Sequence, residues 1–161
     1  MSALSHPLMS EIAVSDIAHT IQLALAPVFL LTGIAGLLNM LAGRLARVVD
    51  RARKIEGAFT PLDDPRHPDQ VAELRILDRR IALVNMAILL CTTSAVAVCV
   101  VVAALFVASL AGLGFARTMA GLFVFAMVLL IAGLCFFLGE IRIAVRSIRI
   151  RDELLERGER P

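Results

Sequence analysis

Of the polar side chains at or inside stretches that are mostly apolar, Asn39, Asn85, Thr92 and Glu140 are the ones whose types and places could do chemistry. An amide or a hydroxyl in hydrocarbon does one of two things. It bonds across to a neighbouring helix, or it lines a polar path. Glu140 ends the uncharged run Thr118 to Gly139, and a carboxylate at such a boundary requires a cation. Arginines at the base of the hairpin, such as Arg44 or Arg80, are the expected partners, with Arg142 or Arg146 as local alternatives. A second group of charges follows the first run: Arg44, Arg47, Arg51 and Lys54 recur at spacings of three, four and three, which places all four on one helical face. With Asp50, Asp78, Arg79 and Arg80 they form a charge cluster suited to forked pairing with carboxylates or with anionic lipid headgroups.

Catalytic patterns are missing. The chain contains no HExxH, no CxxC, no GxSxG, no glycine-rich phosphate loop and no pair of carboxylates inside an apolar run. His6, His19 and His67 have no ligand spacing, so neither a metal nor another cofactor is expected. Cys91, Cys99 and Cys135 all fall in apolar runs and read as packing residues rather than a disulfide framework. The expectation is a non-enzymatic protein.

Composition explains what must position these residues. The hydrophobic fraction is 59% and the mean hydropathy +0.85 over 161 residues, whereas soluble domains are about 45–50% apolar. Three windows carry no charge: Ile17 to Gly43, Ile81 to Ala116 and Thr118 to Gly139. Each reaches the ~20 residues that cross a ~30 Å hydrocarbon core. Helices are expected, because lipid offers the backbone no hydrogen bonds and the runs lack strand alternation.

The expected architecture is therefore all-α and integral to a membrane, a single domain over 1–161. Its transmembrane helices cover about 20–42, 81–110 and 117–139. A helical hairpin occupies about 43–80, and a tail helix about 140–157.

Lys and Arg number 16, and they are unevenly placed. Nine lie between the first two runs and six in the tail, with Arg117 alone in the short second connection. By the positive-inside rule the hairpin and the C-terminus face the cytoplasm and the N-terminus faces out. The N-terminal stretch has no basic leader, so the first span is expected to remain as an anchor. A net charge of +2 motivates no nucleic-acid partner.

Along the chain, residues 1 to about 15 read as a loosely structured outer segment or an interfacial turn. Asp16 is suited to begin a helix, and His19 to the interface. Pro27 is expected to bend the first span. Thr32, Gly36, Asn39 and Gly43 make a small, polar-tinged face for close helix approach. Leu45, Val48, Val49, Ala52 and Ile55 continue an apolar stripe to Glu56, and Gly57 suits a helix end. GAFTPLDDPRHPDQ marks the hairpin tip, with Pro65 or Pro68 opening the next helix. Gln70, Leu74, Leu77, Ile81 and Val84 then form a heptad-like seam.

In the second span, Asn85, Thr92, Ala95, Cys99 and Ala103 form another narrow face, and Asn85 sits at the depth of Asn39, suited to bond with it. Gly112 and Gly114 mark an outer turn. Ala126, Gly133 and Glu140 form a track seven residues apart in the third span. Asp50 and Asp78 are expected to be partly buried near the membrane surface.

The runs PVFLLTGIAGLLNMLAGRLARVVDRARKI, ELRILDRRIALVNMAILL and FLGEIRIAVRSIRI resemble a bacterial family of small membrane proteins, Domain of Unknown Function twenty-seven twenty-one, over about Pro27 to Ile150. The resemblance implies signature positions at Pro27, Asn39, Arg44, Arg47, Asp50, Arg51, Arg79 or Arg80, Asn85 and Glu140, and a location in the bacterial inner membrane. It carries no activity. The expected function is a homo-oligomerising membrane module whose basic hairpin and tail form an interaction platform, open to a cytoplasmic protein partner. The alternative is a subunit of an oligomeric channel, with Asn39, Asn85, Thr92 and Ser94 as its polar wall and an arginine ring at its mouth.

Overall fold

The computed structural model of the chain describes residues 5–111 and 116–147, with side chains up to residue 24 (Gln22 excepted) and at 116, 146 and 147 outside that description. It contains three helices: α1 (Ser5–Glu56), α2 (His67–Ala111) and α3 (Ala116–Ser147). The outer turn with Gly112 and Gly114, the tail beyond Ser147, and the side chains of Asp16, His19 and Arg146 lie outside the described residues.

α1 is 52 residues long and α2 is 45, roughly 78 Å and 68 Å at 1.5 Å per residue. Both exceed a ~30 Å hydrocarbon core. The N-terminal segment expected to be loose is instead helical from Ser5. The reason is local: no glycine interrupts Ser5 to Pro27, and Pro7 falls in the first turn, where a missing N–H leaves no bond unmade. The helix also continues through Pro27, which is buried.

Burial along each helix follows coiled-coil spacing. In α1 it is a single track seven residues apart: Pro27, Ile34, Leu41, Val48 and Ile55. In α2, Val84, Ala87, Cys91, Ser94, Val98 and Val101 alternate by three and four. α3 shows the same alternation in Ala126, Leu130, Gly133, Glu140 and Ala144. Such spacing keeps one seam facing its neighbours along helices of this length.

The chain divides into two compact units, Met1–Met40 with Leu89–Ala132, and Leu41–Ile88 with Gly133–Pro161. In the first, the buried Ser94 hydroxyl donates to the Ala126 carbonyl at 2.7 Å, a polar tie between α2 and α3. Thr32 and Thr93 return their hydroxyls to carbonyls four residues back, Val28 and Leu89, which satisfies them without a partner helix.

In the second unit Val48, Ile55 and Leu77 form a core, flanked by Ala52, Leu74 and Ile81. These are the two apolar stripes that the sequence assigned to the hairpin. α1 stops at Glu56, and the Gly57 N–H bonds back to the Arg53 carbonyl at 2.9 Å. Gln70 does not serve the seam as expected. Its carbonyl oxygen accepts the Thr60 N–H and hydroxyl, both at 3.0 Å, and its amide donates to the Ala58 carbonyl. His67 Nδ1 lies 2.9 Å from the Thr60 carbonyl, with its ring edge-on to Phe59.

Before α2, Asp64 accepts the Arg66 N–H at 2.8 Å and the Arg66 guanidinium at 2.9 Å. The Arg66 guanidinium first, and then the Arg66 N–H, hold the Asp64 carboxyl below the usual carboxylate range. Pro68, not Pro65, occupies the first turn of α2.

Candidate functional site

Arg44 lies between Leu41 and Val48 on the buried track of α1, three residues after one and four before the other. Arg80 has the same spacing between Leu77 and Val84 on α2. Glu140 lies seven residues after Gly133 on α3. Each thus stands at an inward register position, at the end of an uncharged run.

The structure brings the three together. The Glu140 side chain is 0% exposed, and its Oε1 accepts from Arg80 Nε at 3.0 Å and Nη2 at 2.8 Å. Oε2 lies 3.2 Å from Arg44 Nη1, close enough for ionic attraction, but no N–H is aimed at it and it has no hydrogen bond. Arg44 also lays its guanidinium over the Phe137 ring, 5.4 Å from the centroid. The side chains of Arg80 and Arg44 are 19% and 27% exposed. Two mostly buried cations therefore share one carboxylate. Of the three expected partners of Glu140 whose side chains are described, the two hairpin arginines are the ones used. Arg142 is exposed.

A second pair lies further along the hairpin. Arg51 donates through Nε to Glu73 Oε1 at 2.7 Å, with Nη2 also 2.7 Å from the same oxygen. Beside it is an open cleft of about 510 Å³ lined by Arg51, Glu73, Ile76, Leu77 and Arg80.

The remaining predicted residues are not gathered into a site. Asn39, Asn85 and Thr92 are exposed, and neither Asn amide forms a hydrogen bond among the described residues. Arg47, Lys54 and Arg79 are exposed. So are Asp50 and Asp78, against the expectation of partial burial: each lies off the buried track of its helix. Ser94, expected in a polar wall, is instead a buried tie. Gln70 was missed as a clasp. Its signal was its position three residues after His67, in a stretch where the hairpin tip leaves backbone groups to be bonded. Among the described residues no group of three or more His, Cys, Asp or Glu side chains could hold a metal ion.

The outward surface is apolar, with Phe29 73%, Val124 60% and Ile131 57% exposed. All three helices are long and apolar enough to cross a membrane. Together these features define a multi-pass, all-helical membrane protein. A family model described as "Protein of unknown function (DUF2721)" matches residues 24–150, and the chain belongs to that family. No curated protein and no solved structure matches it.

Proposed function

We propose that the protein is a non-enzymatic membrane module that assembles with copies of itself through the outer face of α1. It holds the hairpin and tail in the bacterial cytoplasm as a basic interaction platform, with the N-terminus outside. The observation that carries this reading is the Asn39 amide, exposed and without a hydrogen bond among the described residues. A bare amide in hydrocarbon costs several kcal/mol, on the order of 4–8 where nothing can bond to it.

Asn39 lies on the side of α1 opposite the buried track, among the small exposed residues Ala35, Gly36, Ala42 and Ala46. A Cβ at Gly36 would meet nothing within 4 Å, so the glycine serves no contact within the chain. Two copies of α1, parallel and related by a two-fold axis along the membrane normal, would bring both Asn39 amides to one depth. An amide both donates and accepts, so it is complementary to itself. The positive-inside rule supports the orientation.

The test is cross-linking and native mass measurement in mild detergent. The expected result is a multimer that Asn39→Leu shifts towards monomer. A wild-type protein found only as monomer overturns the reading. Exposure of Asn39, Asn85 and Thr92 also favours a second reading, in which these residues line a pore formed by several copies. In that case purified protein conducts ions across liposomes and Asn39→Leu alters the flux. Absence of conductance under every ionic gradient removes it.

A further inference from the structure

We propose that the cleft lined by Arg51, Glu73, Ile76, Leu77 and Arg80 seats the phosphate of an anionic lipid. The first argument is charge. Among the described residues, Arg44, Arg51 and Arg80 form ion pairs with two carboxylates, Glu73 and Glu140, so these pairs together hold three cations against two anions. Arg80 is the member most buried of the three arginines, and it is fixed. Its Nε and Nη2 are bound to Glu140, while its side chain also lines the cleft. An excess positive charge at the edge of hydrocarbon is stabilised by a phosphate, for which a guanidinium has matching donor geometry.

The second argument is depth. Arg80 borders the uncharged run that starts at Ile81. Glu73 lies seven residues further out on α2, about 10 Å along a helix. The headgroup layer on each side of a bilayer is roughly 5–8 Å thick. The cleft thus starts at the hydrocarbon boundary and runs through the headgroup layer. Its volume of about 510 Å³ accommodates a phosphate with its glycerol stem. Leu77, buried, and Ile76, exposed, supply an apolar wall for that stem. A free phosphate ion has no use for such a wall, and this favours a lipid as the source.

The proposal requires a bilayer but not self-assembly, so its failure and that of the assembly reading are separately visible. The full chain is reconstituted in nanodiscs of phosphatidylcholine with a minor fraction of phosphatidylglycerol. Native mass spectrometry then counts the lipids retained per protomer. Wild-type protein is expected to retain phosphatidylglycerol in preference to phosphatidylcholine.

Arg51→Gln and Glu73→Gln break the same ion pair but change the cleft charge in opposite senses. Arg51→Gln is expected to lower the preference about fivefold and Glu73→Gln to raise it by a similar factor, as one charge near a membrane surface is worth about 1 kcal/mol. Arg80 is left in place, since replacing it would strip Glu140 of its hydrogen bonds. If the pair only holds the hairpin together, both variants shift retention in the same direction or not at all, and the proposal fails. A third arm uses pure phosphatidylcholine nanodiscs with millimolar inorganic phosphate. A rise in the thermal midpoint equal to that given by phosphatidylglycerol would overturn the lipid as the source.

Discussion

Replacing Glu140 by Gln tests the centre of the molecule with little change in volume. The carboxylate is fully buried and accepts two N–H groups from Arg80, with Arg44 Nη1 at 3.2 Å from its second oxygen. Gln retains one acceptor oxygen but no charge, so two guanidiniums, 19% and 27% exposed, are left facing one another without a counter-ion. Removing one partner of a buried pair costs about 3–5 kcal/mol. Both arginines have long stems and can move their heads towards water, which relieves part of that cost. A loss of about 2–4 kcal/mol is expected on these grounds. The chain contains no Trp and no Tyr, so unfolding is followed by far-UV circular dichroism in a titration from mild detergent into dodecyl sulfate. Arg80→Gln and the double variant complete a cycle, in which the double variant should cost less than the two single variants together by at least about 1 kcal/mol. Additive losses, or a Glu140→Gln loss below about 1 kcal/mol, would refute the view that this carboxylate compensates both arginines.

Ser94→Ala should cost about 0.6 kcal/mol and at most about 1.7, the range for a hydrogen bond between membrane helices, while Ser94→Leu should cost about 1–3 by overpacking a fully buried position; the same titration measures both. Gln70→Ala removes the bonds to Thr60 and Ala58, and is expected to speed hydrogen exchange at the Thr60 amide about five- to thirtyfold, on the basis of about 1–2 kcal/mol lost, with the helices intact. The Asp64 carboxyl is held below the usual range by Arg66. Its contribution to the turn before α2 is therefore complete above the ordinary Asp range and disappears as the pH falls through the lowered value. Protection of the Arg66 amide, taken relative to its intrinsic exchange rate at each pH, should fall only in that acid window, and Asp64→Asn should remove that fall.

Element type was legible because three uncharged runs leave the backbone no choice but helix. The hairpin was legible because its flanking residues are charged, so the stripe from Val48 to Ile55 and that from Leu74 to Ile81 differ clearly from their surroundings. The Glu140 cluster was legible for a related reason, since a charge at the end of an apolar run must find its opposite. Inside the spans the same method misplaced the buried face of α2. It chose Asn85, Thr92 and Cys99, whereas Val84, Cys91 and Val98 are buried. Lipid tails are as apolar as a protein interior, so a hydrophobic stripe does not mark the inside there. The resemblance left Arg79 and Arg80 as alternatives, and register separates them, because only Arg80 keeps the three-and-four spacing with Leu77 and Val84.

The arrangement around Glu140 also has a consequence for biogenesis. A ribosome releases Arg44 and Arg80 long before the codon for Glu140 is read, and chains begin to fold from the N-terminus while still being made. Until the last helix enters the bilayer, the two earlier ones carry a pair of cations at its edge with no carboxylate to offset them. A nascent protein halted before Ala116 should accordingly remain attached to insertion factors or be degraded, and translation through Glu140 should release it.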